Sequence, residues 1–146
     1  GFYKPQNPDK YKGDVKNIVY RSSYELTYLR KLDLDPDVLE YSSEEVIIPY
    51  KHPADGRLHR YFVDFYVKMK DEKGRISEHL IEIKPSKQTR PPTVTQSNKK
   101  KKSVLKEAYT YAVNEAKWDA ARKYCDKKGW HFHIITEKEL YGSNAL

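Results

Sequence analysis

A chain of 146 residues is long enough to enclose one hydrophobic core and too short for several. Lys and Arg outnumber Asp and Glu by 28 to 21; the net charge of +7 favours an anionic partner, nucleic acid rather than membrane, since no apolar run nears spanning length and no basic amphipathic anchor is present. The single cysteine, Cys125, excludes an internal disulfide framework and a cysteine-based zinc site, and with no signal-peptide pattern the chain reads as soluble and intracellular.

Residues 1–19 carry Pro5, Pro8 and Gly13 among polar residues and are expected to form an irregular arm over the body. A helix is predicted from Ser22 to just before Pro36. "EVIIPY" (45–50) reads as a short strand, and Asp55-Gly56 as a hairpin turn. Residues 58–70 alternate as one strand, with Tyr61, Val63, Phe65, Val67 and Met69 on one face and Phe62, Asp64, Tyr66 and Lys68 on the other. "DEKG" turns the chain into a third strand over 75–84.

Three prolines place residues 85–98 in a loop. Lys99 to Lys127 is predicted helical, its inner stripe formed by Val104, Leu105, Ala108, Tyr111, Ala112, Glu115, Ala116 and Asp119, with Gly129 as the stop. A fourth strand (130–136) and a last helical turn follow, leaving 137–146 as a C-terminal tail and 20–136 as the core of one domain. The expected order is helix, three-strand meander, helix, strand.

Three of these elements carry an acid where the pattern calls for core. Glu25 shares a helix face with Tyr28, Leu29 and Leu32; Asp64 lies between Phe62 and Tyr66; Glu82 alternates with Leu80 and Lys84 in "HLIEIKPSKQTRPP". Hairpin-connected strands are usually neighbours, so Asp64 and Glu82 are expected to converge beside the first helix. Clustered carboxylates repel unless a cation lies between them, and an all-oxygen donor set suits Mg²⁺ or Mn²⁺. Such an ion polarises a phosphodiester, with Lys84 next along the strand to meet the developing charge.

At Asp64, Glu82-Ile83-Lys84 and Glu25 the chain resembles the PD-(D/E)XK nuclease superfamily, Val63 standing where that motif often has proline. "YRSSYE", "SEEVIIPY", "RYFVDFYV" and "LIEIKPSKQTRPP" are similar to the head completion nucleases of T-even-type tailed phages and, more loosely, to the endonuclease subunit of Tn7-like transposons. The resemblance implies an α/β (α+β) restriction-endonuclease-like fold, a mixed sheet flanked by helices. It implies that Asp64, Glu82 and the Ile83 carbonyl ligate Mg²⁺ (or Mn²⁺), that Lys84 is the catalytic lysine, and that Glu25 serves a second metal position. Gln88 is then a contact to the scissile phosphate or its water. The implied role is cleavage of double-stranded or branched DNA during head completion, in the host cytoplasm and the virion. Phage head and portal proteins are the implied partners, with neither membrane nor nucleotide cofactor.

Simpler explanations stand beside these. Ser22-x-x-Glu25 is also a capping box, Asp64 an edge-strand acid, and Glu82 with Lys84 a surface pair. Lys99, Lys100, Lys101 and Lys102 oppose the dipole at a helix start, which suits a phosphate partner. Arg21, Arg57 and Arg60, with Lys87 and Arg90, suit phosphate contact or an ordinary surface. The same features also fit a non-catalytic DNA-binding protein of the virion head, or a junction-resolving or transposition-type endonuclease.

Overall fold

The computed structural model describes residues 1–142; the last part of the expected C-terminal tail, 143–146, lies outside the described residues. In chain order the elements are α1 (Ser23–Leu34), β1 (Val38–Ser43), β2 (Ile47–Lys51), β3 (Leu58–Phe62), β4 (Phe65–Lys70), β5 (Ile76–Ile83), α2 (Lys102–Lys128), β6 (His131–Ile135) and α3 (Glu137–Leu140). Ser22, in extended backbone, accepts from the Glu25 N–H to start α1, and Gly129 takes the left-handed conformation, φ 72°, that ends α2.

The central sheet runs β1-β4-β5-β6, with β1, β4 and β5 antiparallel and β6 parallel to β5; among the described residues β2 and β3 pair only with each other. The mixed sheet and flanking helices are as expected, but the meander is not. Its first strand is β1, whose "VLEYSS" combines buried Val38 and Tyr41 with polar Ser42 and Ser43 and so lacks a strand's usual alternation. The segment expected to open the meander is instead one arm of the separate hairpin.

The predicted strand over 58–70 is likewise two strands, divided at Val63-Asp64. Tyr61 and Val63 join one core cluster, Phe65 and Val67 the other, so the shared face expected for these residues does not exist. Two apolar layers result. On one side of the sheet Tyr28, Leu29 and Leu32 of α1 pack on Phe65, Val67, Ile81 and Ile135. On the other Trp118, Ala121 and Cys125 of α2 pack on Leu80, Tyr66 and the hairpin's Ile48, Tyr50 and Tyr61.

The stripe α2 buries is Asn114, Trp118, Ala121 and Cys125, not the one predicted through Ala112, Glu115 and Asp119. Ahead of Tyr111 no residue of α2 is buried, and Leu105 and Tyr109 are exposed. The N-terminal arm carries one 3-10 turn, Pro8–Lys10, and is firmly held. Tyr11 and Ile18 enter the α1-side core, and buried Asp33 accepts from the Tyr3 hydroxyl at 2.7 Å and from the backbone N–H of Gln6 and Asn7 at 2.7 and 3.0 Å.

An acidic centre between the sheet and the long helix

The β4–β5 register pairs Phe65 with Ile81, so one step outward Asp64 stands opposite Glu82. Asp64 Oδ2 accepts from the Ile83 N–H at 2.9 Å, which draws its carboxylate across to β5. Glu82 is only 5% exposed and turns, with Leu80, to the α2 side of the sheet. Burial, and next the negative charge of Glu82, push the Asp64 carboxyl well above the usual range. Glu82 is raised too, chiefly by burial, against the opposing pull of the Tyr61 hydroxyl, Lys84 and Lys117. Two adjoining buried acids that resist ionisation together form a hard oxygen donor set suited to a divalent cation.

Lys84 Nζ lies 3.7 Å from Glu82 Oε1, and its side chain is 27% exposed, enough to meet an incoming anion. Glu25 contributes to the repulsion on Asp64 but makes no hydrogen bond to it. Its carboxylate is held at the helix start, accepting from the Ser22 hydroxyl at 3.3 Å and the Arg21 N–H at 3.4 Å. Capping and proximity to Asp64 thus coexist in this residue. The expected convergence beside α1 is corrected: Glu82 faces α2.

Two participants have no local signature in the sequence. Tyr61, on β3, donates its hydroxyl to Glu82 Oε2. Lys117, on α2, holds its ammonium 5.7 Å from the Tyr61 ring centre and 5.8 Å from that of Tyr50, and favours ionised Glu82. Among the described residues Lys117 has no carboxylate within ion-pair distance, so its charge is shared between two rings and Glu82. Tyr61 looked like one more apolar member of a continuous strand, and the mispredicted α2 stripe omitted Lys117.

Gln88 lies in a 3-10 turn (Ser86–Thr89) just past β5 and is exposed. Lys87 pairs with Glu107 at 3.9 Å, and Arg90 shares a pocket with Gln88 against α2. Lys99 to Lys102 form the exposed approach to α2, Lys101 being its N-cap residue. Arg21 is ion-paired to Glu44; Arg57 is exposed at the hairpin turn, and Arg60 lies over the Phe62 ring at 5.5 Å.

A separate donor group stands at the hairpin tip, where His52, Asp55 and His59 each offer one ligand atom within 4.8 Å of the others. Its donors already serve the turn: His52 Nδ1 accepts from the Ala54 N–H at 3.1 Å, and Asp55 Oδ2 lies 2.9 Å from His59 Nε2. His131 and His133 face the α1 side together with buried His79, whose Nδ1 is 2.9 Å from His133 Nε2. No described helix is long and apolar enough to cross a membrane.

Residues 35–137 match the TnsA-like endonuclease N-terminal family. The chain is also 42% identical over 142 residues to the head completion nuclease of Enterobacteria phage T4, an alignment spanning 96% of this chain and 92% of that protein.

Proposed function

The chain belongs to the TnsA-like endonuclease family, and from that premise we propose that it is a divalent-metal-dependent endonuclease that hydrolyses DNA phosphodiester bonds during phage head completion. The observation that carries the metal-dependent reading is the buried, mutually destabilised pair Asp64 and Glu82, with Lys84 3.7 Å from the latter. Asp64, Glu82 and the Ile83 carbonyl hold the ion, and Mg²⁺ or Mn²⁺ suits these hard oxygen donors. When bound, the ion supplies Lewis-acid charge at the phosphate.

The chain's own groups supply the rest. Lys84 and Lys117 bring positive charge to the face where the attacked phosphate gains negative charge. Tyr61 favours the ionised form of Glu82 and fixes its second oxygen, and Glu25 adds negative charge near Asp64 and serves a second cation position. Gln88 orients the phosphate or its water. Arg21, Arg57, Arg60, Lys87, Arg90 and Lys99 to Lys102 grip the backbone of double-stranded or branched DNA. Identity with a head completion nuclease supports the same step here, in the host cytoplasm and the virion, beside head and portal proteins.

The test is cleavage of linear and branched duplex by the purified chain with Mg²⁺ or Mn²⁺. Glu82→Ala and Lys84→Ala are each expected to abolish it. Undiminished cutting by both variants overturns the assignment.

A further inference from the structure

The loop that leaves β5 folds back towards α2 and borders an open pocket of about 250 Å³. Lys87, Arg90 and Lys106 give it a basic rim, partly offset by Glu107, which pairs with Lys87; Gln88, Tyr111 and Asn114 form its walls. Asn114 is the anomaly. It is 6% exposed, and its side-chain amide, which has no hydrogen-bond partner among the described residues, is not sealed from solvent as the unpaired Trp118 Nε1 is but opens on the pocket. A ligand in the pocket therefore meets an amide that the fold itself leaves unused.

The lining identifies that ligand by its chemistry. An amide presents a donor and an acceptor side by side, the complement of a nucleobase edge. The Tyr111 ring, anchored through its hydroxyl to Glu115 at 3.1 Å, offers a stacking surface. The basic rim suits the attached phosphate. The volume lies below the roughly 300–1,000 Å³ of a drug-sized site, which leaves space for one base and not a stacked pair.

A base inside a duplex must first be unpaired and unstacked at a free-energy cost, so one that is already unpaired enters most readily. Gln88 follows four residues after Lys84, and Asn114 precedes Lys117 by about one helical turn, so the pocket adjoins the acidic centre. We propose that this pocket receives one unpaired nucleotide of the DNA, at a strand end, flap or branch, beside the bond to be cut. The proposal rests on the nuclease reading and adds its substrate class: DNA with an unpaired nucleotide.

Binding is measured with the full chain in EDTA, which uncouples it from cleavage. One probe is a blunt duplex; the other is the same duplex with a short unpaired tail carrying 2-aminopurine. The tailed duplex is expected to bind roughly ten-fold more tightly, with quenched fluorescence from the stacked base. Asn114→Ala and Tyr111→Leu are each expected to remove the preference and the quench, while Tyr111→Phe, which keeps the ring, retains both. Thermal unfolding of each variant identifies any that fails to fold, and Asn114→Ser then replaces Asn114→Ala. Equal affinity for the two probes overturns the proposal, as does a preference that survives in folded variants at both positions. A tail preference in a chain that cuts no DNA with Mg²⁺ or Mn²⁺ sustains the pocket and overturns the nuclease; cutting without the preference does the reverse.

Discussion

The Tyr61 hydroxyl donates to Glu82 from a strand that belongs to a different sheet. The bond joins the β2–β3 hairpin to β5 and lowers the pKa that burial alone gives Glu82. Tyr61→Phe keeps the ring and removes only the donor, so Glu82 should ionise at higher pH. The acid limb of the rate-against-pH profile is therefore expected to move to higher pH. The rate at pH 7 should fall roughly ten-fold, the equivalent of one hydrogen bond to a charged group at about 1.5 kcal/mol. An unmoved acid limb makes Tyr61 a packing residue.

Asp64 makes one contribution to the pH dependence of the metal-free protein. Its folded pKa is raised above the unfolded value near 3.8, so the stability it contributes is fully present below that pH and is lost as pH rises through the folded pKa. Relative to Asp64→Asn, metal-free protein is expected to lose thermal stability from acid towards neutral pH, and Mn²⁺ to restore it. Asp64→Asn, which can still accept from the Ile83 N–H, should raise the metal-free midpoint at pH 7 by about 2–4 °C per kcal/mol of relieved repulsion. It should also abolish the Mn²⁺-induced rise. Scanning fluorimetry with and without Mn²⁺ checks both.

His79 has the opposite slope. Burial, then His133 and His131, pull its pKa down to about 4, so its neutral form stabilises the fold above the unfolded value near 6.5 and that stability is lost as pH falls towards 4. The difference between the chain and its His79→Asn variant is expected to shrink by up to about 3 kcal/mol across that window. Denaturant unfolding at pH 7 and pH 4.5 measures it, and comparison with the variant cancels the contribution of Asp64.

Asp33 holds the N-terminal arm. Burial opposes its ionisation, but hydrogen bonds from Tyr3, Gln6 and Asn7 and the charge of Lys10 outweigh it and keep its pKa low. In Asp33→Asn the side-chain NH₂ must face a donor that the carboxylate accepts, so the variant is expected to lose about 2–4 kcal/mol. Limited proteolysis should then cut ahead of Lys10 much faster than in the parent chain.

Local rules made most elements legible. Ser22 and Gly129 mark helix ends, Asp55-Gly56 and "DEKG" mark turns, and Glu82-Ile83-Lys84 shows charge inside an apolar strand. What escaped depends on partners distant in sequence. β1 is buried because β4 and the arm cover Tyr41, Ser42 and Ser43, which nothing in "VLEYSS" announces. Apolar and small residues lie around much of α2, so several stripes fit its sequence, and only the sheet selects Trp118, Ala121 and Cys125. Tyr61 and Lys117 meet Glu82 only after three elements have packed, and neither spacing nor periodicity records that meeting.

Between Val63 and Asp64 the chain leaves one sheet for the other. Two bonds close the step: the Glu44 N–H to the Asp64 carbonyl and the Val63 N–H to the Val46 carbonyl, each 3.0 Å. Tolerance to insertion is consequently lopsided along a single hairpin. Its tip, between Lys51 and Leu58, can lengthen or shorten with no change of phase below it. One residue added between Val63 and Phe65 must invert either the hairpin or β4, carrying Tyr61 away from Glu82 or Phe65 out of the α1 layer. Natural variation in loop length should therefore gather at the tip, and the base should keep its count.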